Sequence, residues 1–271
     1  MTQALRLERD GRRRQWDRRV RRARELRDRH PAAAAALGLY EEVLKFQADV
    51  AGDFTPAPHG EYSLREQIDI VYISSQVPSI LTLAMEHGPS TLSQHARMLR
   101  DAGGVCWESM AEAAVTYAVA EMHPLDSFFF RACLQPVAES LQSRLPDLPG
   151  YSKNVCPACG GLPQLSVLRP EGEGASRFLL CSFCLREWLF RRILCPWCGE
   201  EGKEKLPFYT AEEFVHLRVE ACDTCKRYLK AVDMTIDGRA EPLVDEASLA
   251  VLDVWAGEHG YSKIVGNLLG F

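Results

Sequence analysis

The sequence predicts an α+β protein with an N-terminal all-α domain, two tandem four-cysteine modules and a C-terminal helix. Three observations support this fold class. Residues 1–145 repeat apolar residues at helical spacing between proline and glycine breaks. Eight of the ten cysteines form four Cys-x-x-Cys pairs between Cys156 and Cys225. Short apolar runs of the kind that form strands flank these pairs.

Composition and linker positions set the expected organisation. A chain of 271 residues with 46% hydrophobic and 25% charged residues is typical of a soluble globular protein with a sizeable core. It has no run of eighteen apolar residues and no signal-peptide core, which predicts a cytoplasmic protein. The expected units are a helical domain at 1–150, metal modules at 151–194 and 195–235, and a C-terminal helix and tail at 236–271.

The first segment is rich in arginine. Residues 1–29 hold twelve arginines and five acidic residues, although the whole chain has a net charge of −5. Trp16, Val20 and Ala23 recur at helical spacing, which predicts an amphipathic helix ending near His30. We interpret its arginines as a solvated face, or alternatively as a docking surface for an acidic partner. Nucleic-acid binding is less favoured, because no aromatic residues are interleaved with the charge.

Further helices follow in the first half of the chain. A second helix should run through Leu37 and Ala51, and Ser63 with Glu66 forms a capping box for a third. Pro78 is expected to break or restart that helix. More helices are expected at 90–101, 105–122 and 125–145. Cys106 and Cys133 lie on these helices as small buried apolar residues.

The cysteine pairs are the strongest signal in the sequence. They are Cys156 with Cys159, Cys181 with Cys184, Cys195 with Cys198, and Cys222 with Cys225. A two-residue gap lets both sulfurs of a pair bind one ion, and two pairs make the tetrahedral sulfur site that zinc or iron accepts. Disulfides, redox-active dithiols and buried free thiols are the alternatives. They fit less well, because the chain is long and the motif occurs four times.

An internal repeat of about forty residues suggests how the pairs combine. The Cys-Pro-x-Cys-Gly motif begins at both Cys156 and Cys195. The first and second pairs should therefore form one site and the third and fourth pairs another, although an interleaved arrangement remains possible. The expected metal ligands are Cys156, Cys159, Cys181, Cys184, Cys195, Cys198, Cys222 and Cys225.

The runs around the cysteines predict two hairpins, 162–168 with 177–180 and 205–209 with 214–220, before a helix at 244–258. His216 is expected at the surface. Four aromatic side chains are candidates for sealing the modules: Trp188, Phe190, Trp197 and Phe208. No phosphate loop, nucleophile elbow or zinc-protease motif occurs, and four-cysteine sites leave no open coordination position. We therefore expect a binding or assembly protein without catalytic residues rather than an enzyme.

These motifs resemble the formate dehydrogenase accessory proteins of the FdhE type. The resemblance rests on the four cysteine pairs, Glu187-Trp188, Tyr228-Leu229-Lys230, the Trp16 to Pro31 segment and Gly260-Tyr261. The arginine density near the start and the Asn267-Leu268 step depart from the family pattern.

The resemblance implies a cytoplasmic maturation factor that binds the catalytic subunit of a respiratory formate dehydrogenase. It also implies rubredoxin-like or zinc-ribbon modules that hold two ions, iron or zinc, on the eight cysteines. A rubredoxin-like iron redox protein and a zinc-ribbon nucleic-acid binder are the alternative functions. No membrane partner is expected, and nucleic acid is disfavoured by the acidic balance of the chain.

Overall fold

The structure is a computed structural model that describes residues 3–56, 63–116 and 122–270. The chain divides into a helical unit, residues 1–145 with 268–270, and a sheet unit that contains residues 146–267. The helices are α1 Gln3–Arg29, α2 Ala34–Asp53, α3 Ile70–His87, α4 Ser90–Ala102, α5 Gly104–Thr116, α6 Pro124–Gln142, α7 Pro242–Ala247 and α8 Ala250–Glu258. The strands are β1 Pro163–Glu171, β2 Gly174–Cys181, β3 Glu187–Phe190, β4 Phe208–Thr210, β5 Leu217–Cys222, β6 Arg227–Asp233 and β7 Ser262–Lys263.

Several arginines of α1 are used inside the helical unit. Arg19 forms a two-pronged ion pair with Glu139 of α6, with N–O distances of 2.6 and 3.0 Å, and both side chains are buried. Arg24 and Arg27 both bind the buried Glu41 of α2. The expectation of a solvated arginine face is therefore wrong for Arg19, which is buried, whereas Arg24 is exposed as expected and Arg27 is half-buried. A sequence pattern reports charge, and it does not show which carboxylates the fold brings opposite.

The start of α3 differs from the expected one. Ser63 and Glu66 do exchange capping contacts, with 2.7 Å between Ser63 N and Glu66 Oε2, but these close a single 3₁₀ turn. The α-helix begins only at Ile70, where the Asp69 carboxylate accepts from the backbone N–H of Tyr72. Pro78 lies inside this helix without ending it. The expected break is wrong, because buried residues on both sides of the proline hold the helix in place.

The last helix of this unit, α6, is buried on nearly all sides. Phe129, Phe130 and Cys133 have no solvent exposure, and burial raises the pKa of the Cys133 thiol. Cys106 is half-buried, with its Sγ 3.6 Å from Met110 Sδ. Both cysteines are free thiols. Both were expected to be buried, and only Cys133 is fully buried. The expected helix at 105–122 is described only to Thr116, since 117–121 lie outside the described residues.

The sheet unit contains one seven-stranded sheet. Its order is β3-β2-β1-β6-β5-β4, with β7 also paired to β6. The strands of the first cysteine module and of the second form antiparallel ladders. The two ladders meet where β1 pairs with β6 in parallel, from Leu165 opposite Lys230 to Leu168 opposite Asp233. Strands of both modules therefore share one hydrogen-bonded sheet.

Two short helices cover one face of this sheet. The single helix expected at 244–258 is interrupted, and α7 and α8 are separate. The ammonium group of Lys230, fully buried on β6, donates to the carbonyls of Glu246 and Leu249 at this interruption. It also binds the Asp253 and Glu246 carboxylates, at 2.5 and 3.0 Å. The buried lysine thus donates to carbonyls that, in a continuous helix, would accept backbone N–H groups of the next turn.

Two side-chain expectations change in this unit. His216 was expected at the surface, but its side chain is mostly buried and its Nε2 lies 2.9 Å from Oδ1 of Asp245. Trp188 and Phe190 are buried as expected, whereas Trp197 and Phe208 are exposed. The positions of these side chains depend on neighbours that are distant in sequence. Across the described residues, no helix has the length and apolar character needed to cross a membrane.

Candidate metal centres

The structure brings the eight paired cysteines together as two groups of four. The first group is Cys156, Cys159, Cys181 and Cys184, and the second is Cys195, Cys198, Cys222 and Cys225. Within each group the Sγ atoms all lie within 4.8 Å of one another. The grouping is the sequential one that the internal repeat favours, and the interleaved alternative does not occur. We call these groups site one and site two.

The backbone around the two sites repeats almost residue for residue. In site one the amide of Cys156 donates to Gly161 O and the amide of Gly160 donates to Cys156 O. In site two the amides of Cys195 and Gly199 make the equivalent bonds. Each first knuckle turns at a glycine with positive φ, 72° at Gly160 and 78° at Gly199. The forty-residue repeat in sequence is therefore a repeat in backbone structure.

The second knuckle of each site also turns through the left-handed region, here without glycine. Leu185, directly after Cys184, has a φ of 58°, and Lys226, directly after Cys225, has a φ of 56°. Such values are uncommon for side chains with a Cβ and persist where the surrounding structure imposes them. Their occurrence at equivalent positions indicates that closing each four-sulfur group requires this turn. The sequence gives no signal for it, since neither residue is one that usually favours the conformation.

The sulfur geometry fits a tetrahedral ion. In site one, three Sγ–Sγ distances are 3.4 to 3.5 Å, and in site two the Cys195–Cys225 and Cys198–Cys222 distances are both 3.7 Å. Four sulfurs at about 2.3 Å from a central zinc lie about 3.8 Å apart. Backbone N–H groups of Ala158, Phe183 and Trp197 each lie 3.4 Å from a cysteine sulfur. Such donors stabilise thiolate charge.

Burial provides a second test of the fit. Burial raises the pKa of the Cys181 thiol and of the Cys195 thiol, so a bound cation would have to offset the cost of their thiolate forms, whereas hydrogen bonds with Cys159, Cys181 and Cys184 lower the pKa of Cys156. Space gives a third test, because a Cβ added at Gly161 would lie 2.9 Å from the Sγ of Cys181 and 3.2 Å from that of Cys159. The backbone approaches the sulfurs as closely as glycine permits. Both sites can hold an ion through their cysteines.

The two sites differ in exposure. In site one, Cys156, Cys181 and Cys184 are buried and Cys159 is half-buried. In site two, Cys198 is exposed and Cys225 is half-buried. An ion at site two would therefore lie closer to solvent than an ion at site one. The sequence did not indicate this difference, because the two motifs are nearly identical.

A third group of possible ligands lies in the helical unit, and sequence analysis missed it. His95 Nε2 lies 2.6 Å from Asp126 Oδ1, and the rings of His95 and His123 are stacked with centroids 5.3 Å apart. His123 Nδ1 also accepts the backbone N–H of Leu125 at the start of α6. The His95 contacts hold α4 against the start of α6, and the His123 contact with Leu125 caps α6. Only the fold brings residue 95 near residues 123 and 126.

Comparison with known proteins identifies the cysteine region. Residues 155–192 match the family described as FdhE, central domain, and residues 193–269 match FdhE, C-terminal domain. A protein FdhE homolog from Aquifex aeolicus is 27% identical over 194 residues, which are 71% of this chain and 68% of that protein. A homolog from Pseudomonas aeruginosa is 38% identical over 125 residues, 44% of this chain and 40% of that protein. The chain thus aligns to less than half of the latter.

The fold has a counterpart among solved structures. The crystal structure of the FdhE protein from Pseudomonas aeruginosa superimposes with a TM-score of 0.73. The match covers 95% of both chains at 24% sequence identity, so it speaks for the fold alone. It extends the similarity from the cysteine region to the helical unit. Residues 155–269 thus match the central and C-terminal domains of the FdhE family, and the fold resembles that of a solved FdhE protein.

Proposed function

We propose that this protein is an accessory factor that binds the catalytic subunit of a respiratory formate dehydrogenase and is required for its activity or assembly. The match of residues 155–269 to both FdhE domains, with all eight paired cysteines gathered into two groups, carries the proposal. The site of action would be the cytoplasm. Ten free cysteines agree with a reducing compartment.

The eight cysteines are proposed as ligands of two ions, either iron or zinc. Thiolates accept both metals, and the affinity order favours zinc over ferrous iron at equal availability. An ion with four protein ligands has no open position for water or substrate. The proposed role of the ions is therefore to hold the knuckles and the strands between them, and the protein acts by binding rather than by catalysis.

A deletion host tests the proposal. The gene is removed from an organism that has a respiratory formate dehydrogenase, and the tagged chain is returned as wild type, Cys198→Ser or Cys106→Ser. We expect wild type and Cys106→Ser to restore formate oxidation and to retain the catalytic subunit during purification. Cys198→Ser should do neither, because Cys198 belongs to a four-sulfur group and Cys106 does not. Normal formate oxidation in the deletion strain, with no subunit retained, would refute the proposal.

A second candidate function is electron transfer through a rubredoxin-like iron. The exposure of Cys198 favours it, since a ligand at the surface gives electrons a short route into site two. Anaerobic purification followed by elemental analysis and a visible spectrum distinguishes the two functions. Stoichiometric zinc in a colourless protein would exclude the redox role. Iron with a reversible thiolate-to-iron absorption band would support it.

A further inference from the structure

The sheet unit has a cavity beside strands β5 and β6. Its volume is about 580 Å³, within the range of small-molecule sites. Cross-strand partners share a face of a sheet, so the register places Arg218 and Glu220 of β5 and Leu229 of β6 together on the cavity side. Lys230 alternates to the other side, where it binds Asp253 of α8, and it is not among the described lining residues. Tyr228 does line the cavity, and its hydroxyl donates to the same Asp253, so the cavity borders the buried lysine cluster without including Lys230.

The charge of the lining is strongly positive. The lining includes five basic residues, which are Arg177, Arg192, Lys203, Arg218 and Arg227. Among the described lining residues the sole carboxylate is Glu220. Its two oxygens are bound by Arg177 at 2.8 Å and by Arg218 at 2.5 Å. The carboxylate thus neutralises part of the charge of two arginines that are already fixed in position.

Three of the basic residues have no carboxylate partner in the described part of the chain. Arg192 is exposed, and its guanidinium donates to the carbonyl of Ala175 at 3.3 Å. Arg227 donates to the carbonyl of Lys263. Lys203 is exposed. These three cations are available to a ligand, whereas neighbouring cations such as Arg191 are paired with surface acids.

Compensation of the adjacent metal site does not account for all of this charge. Cys195 and Cys222 of site two line the same cavity. A divalent ion with four thiolates has a net charge of about −2. The basic lining minus Glu220 leaves four positive charges, so the cavity stays positive with the ion in place. An anion in the cavity would still be attracted.

Apolar groups form the remaining walls. They include Ile193, Leu206, Pro207, Phe208 and Leu229. Phe208 is 63% exposed, and its ring contacts the Arg218 guanidinium, which lies 5.2 Å from the ring centroid. Guanidinium groups suit phosphate oxygens because they donate two parallel hydrogen bonds. An exposed aromatic ring offers a surface to a flat organic group.

From these features we propose that the cavity binds an organic phosphate with two or more negative charges and an apolar or aromatic body, of which a nucleoside diphosphate is an example. Arg192, Lys203 and Arg227 hold the phosphate groups, and the apolar wall with Phe208 contacts the body. A compact ligand is favoured over an extended peptide, because a cavity of about 580 Å³ is within the range of small-molecule sites. This binding does not depend on a formate dehydrogenase client.

Calorimetric titration of the full-length, metal-loaded protein tests the proposal, with ADP, pyrophosphate and adenosine as separate probes. We expect one ADP site per chain, with pyrophosphate and adenosine each binding at least about tenfold more weakly than ADP. Affinity should fall as salt is raised, because the contacts are ionic. Arg192→Gln should weaken ADP binding about tenfold, the usual effect of losing one charged hydrogen bond.

Arg191→Gln is the matched control. It removes an equally exposed arginine next in sequence, whose partner Glu201 is outside the cavity lining. Arg191→Gln should leave ADP affinity unchanged. Equal effects of the two substitutions, or no ADP binding at millimolar concentration, would overturn the proposal. Tighter binding of an acidic-apolar peptide than of ADP would also overturn it and would assign the cavity to a protein partner. Metal content, measured for each variant, confirms that site two is intact.

Discussion

Replacing Lys230 with methionine is the most direct perturbation of the sheet unit. The Lys230 ammonium is fully buried between the carboxylates of Glu246 and Asp253, and it also donates to two carbonyls where α7 ends and α8 begins. Lys263 binds the same two carboxylates from β7. Two lysines and two carboxylates thus balance in charge. Methionine keeps about the length and volume of the lysine side chain, but it leaves the negative charge of one carboxylate unbalanced.

The pKa of Glu246 gives the size of the expected loss of stability. Burial alone would raise this pKa, but the charges of Lys230 and Lys263 outweigh burial and lower it from 4.5 to about 2. A shift of this size corresponds to about 3 kcal/mol of stability at neutral pH. Lys230→Met removes much of that and takes the ammonium donor from the Glu246 carbonyl, whereas the Leu249 carbonyl keeps the N–H of Leu252. We expect a total loss of about 3 to 5 kcal/mol, as found when one member of a buried ion pair is removed.

The pH dependence follows from the sign of the shift. The pKa of Glu246 is lower in the folded state, so its contribution is complete above the unfolded pKa of about 4.5 and is lost as pH falls towards about 2. In Lys230→Met the folded pKa of Glu246 should rise. The difference in stability between wild type and variant should then be largest near pH 7 and should shrink between pH 4.5 and pH 2.

Native-state hydrogen exchange of the full-length protein, detected by mass spectrometry, measures the loss of stability in each segment. Peptides covering β6 and α8 should lose protection in Lys230→Met, whereas Lys205→Met, at an exposed lysine, should change little. The double variant Lys230→Met with Glu246→Gln should recover part of the loss, because Lys263 and Asp253 still balance. Equal protection in the two single variants would refute the reasoning.

Three further outcomes are expected. Gly161→Ala should reduce bound metal from two ions to about one, because the new Cβ would lie within 3.2 Å of two sulfurs, while Gly257→Ala, with open space at its Cβ, should keep both ions by elemental analysis. A chelator should remove metal in two phases, which the absorbance of a metal-binding dye reports. The fast phase should be missing in Cys198→Ser, since this exposed cysteine belongs to the more accessible site. Arg19→Gln should lower the free energy of unfolding by about 3 to 5 kcal/mol, because the buried Glu139 carboxylate loses its cation and keeps the neutral Gln15 amide as a donor. Arg13→Gln, at an exposed ion pair, should cost less than about 1 kcal/mol, and calorimetry measures both.

Local chemistry explains which features the sequence could predict. A Cys-x-x-Cys pair restricts its own geometry within a few residues, so the four knuckles, their sequential grouping and the intervening hairpins follow from spacing. The helices of the first unit follow from apolar periodicity in the same way. The fold class is confirmed because each element depends on signals that lie inside that element.

Features that depend on distant partners could not be predicted. The parallel pairing of β1 with β6 joins strands about sixty residues apart, and the sequence of neither strand identifies its partner. Glu139, the partner of Arg19, lies 120 residues away, so α1 looked like a solvated basic helix. His216 and Asp245 are hidden from sequence analysis for the same reason. The cavity combines residues of several elements and becomes visible only in the folded chain.

The parallel pair also bears on how the two metal sites act. A forty-residue module buries too little apolar surface to fold alone, so metal binding would supply folding free energy at each site. Here β1 follows directly from the first knuckle of site one, and β6 begins two residues after Cys225 of site two. These strands hydrogen-bond to each other over four residue pairs, with Val167 and Val232 fully buried. An ion at either site would therefore stabilise a strand against which the other module is built. With both sites occupied, the two ions would support a single sheet, a role that needs no open coordination position for catalysis.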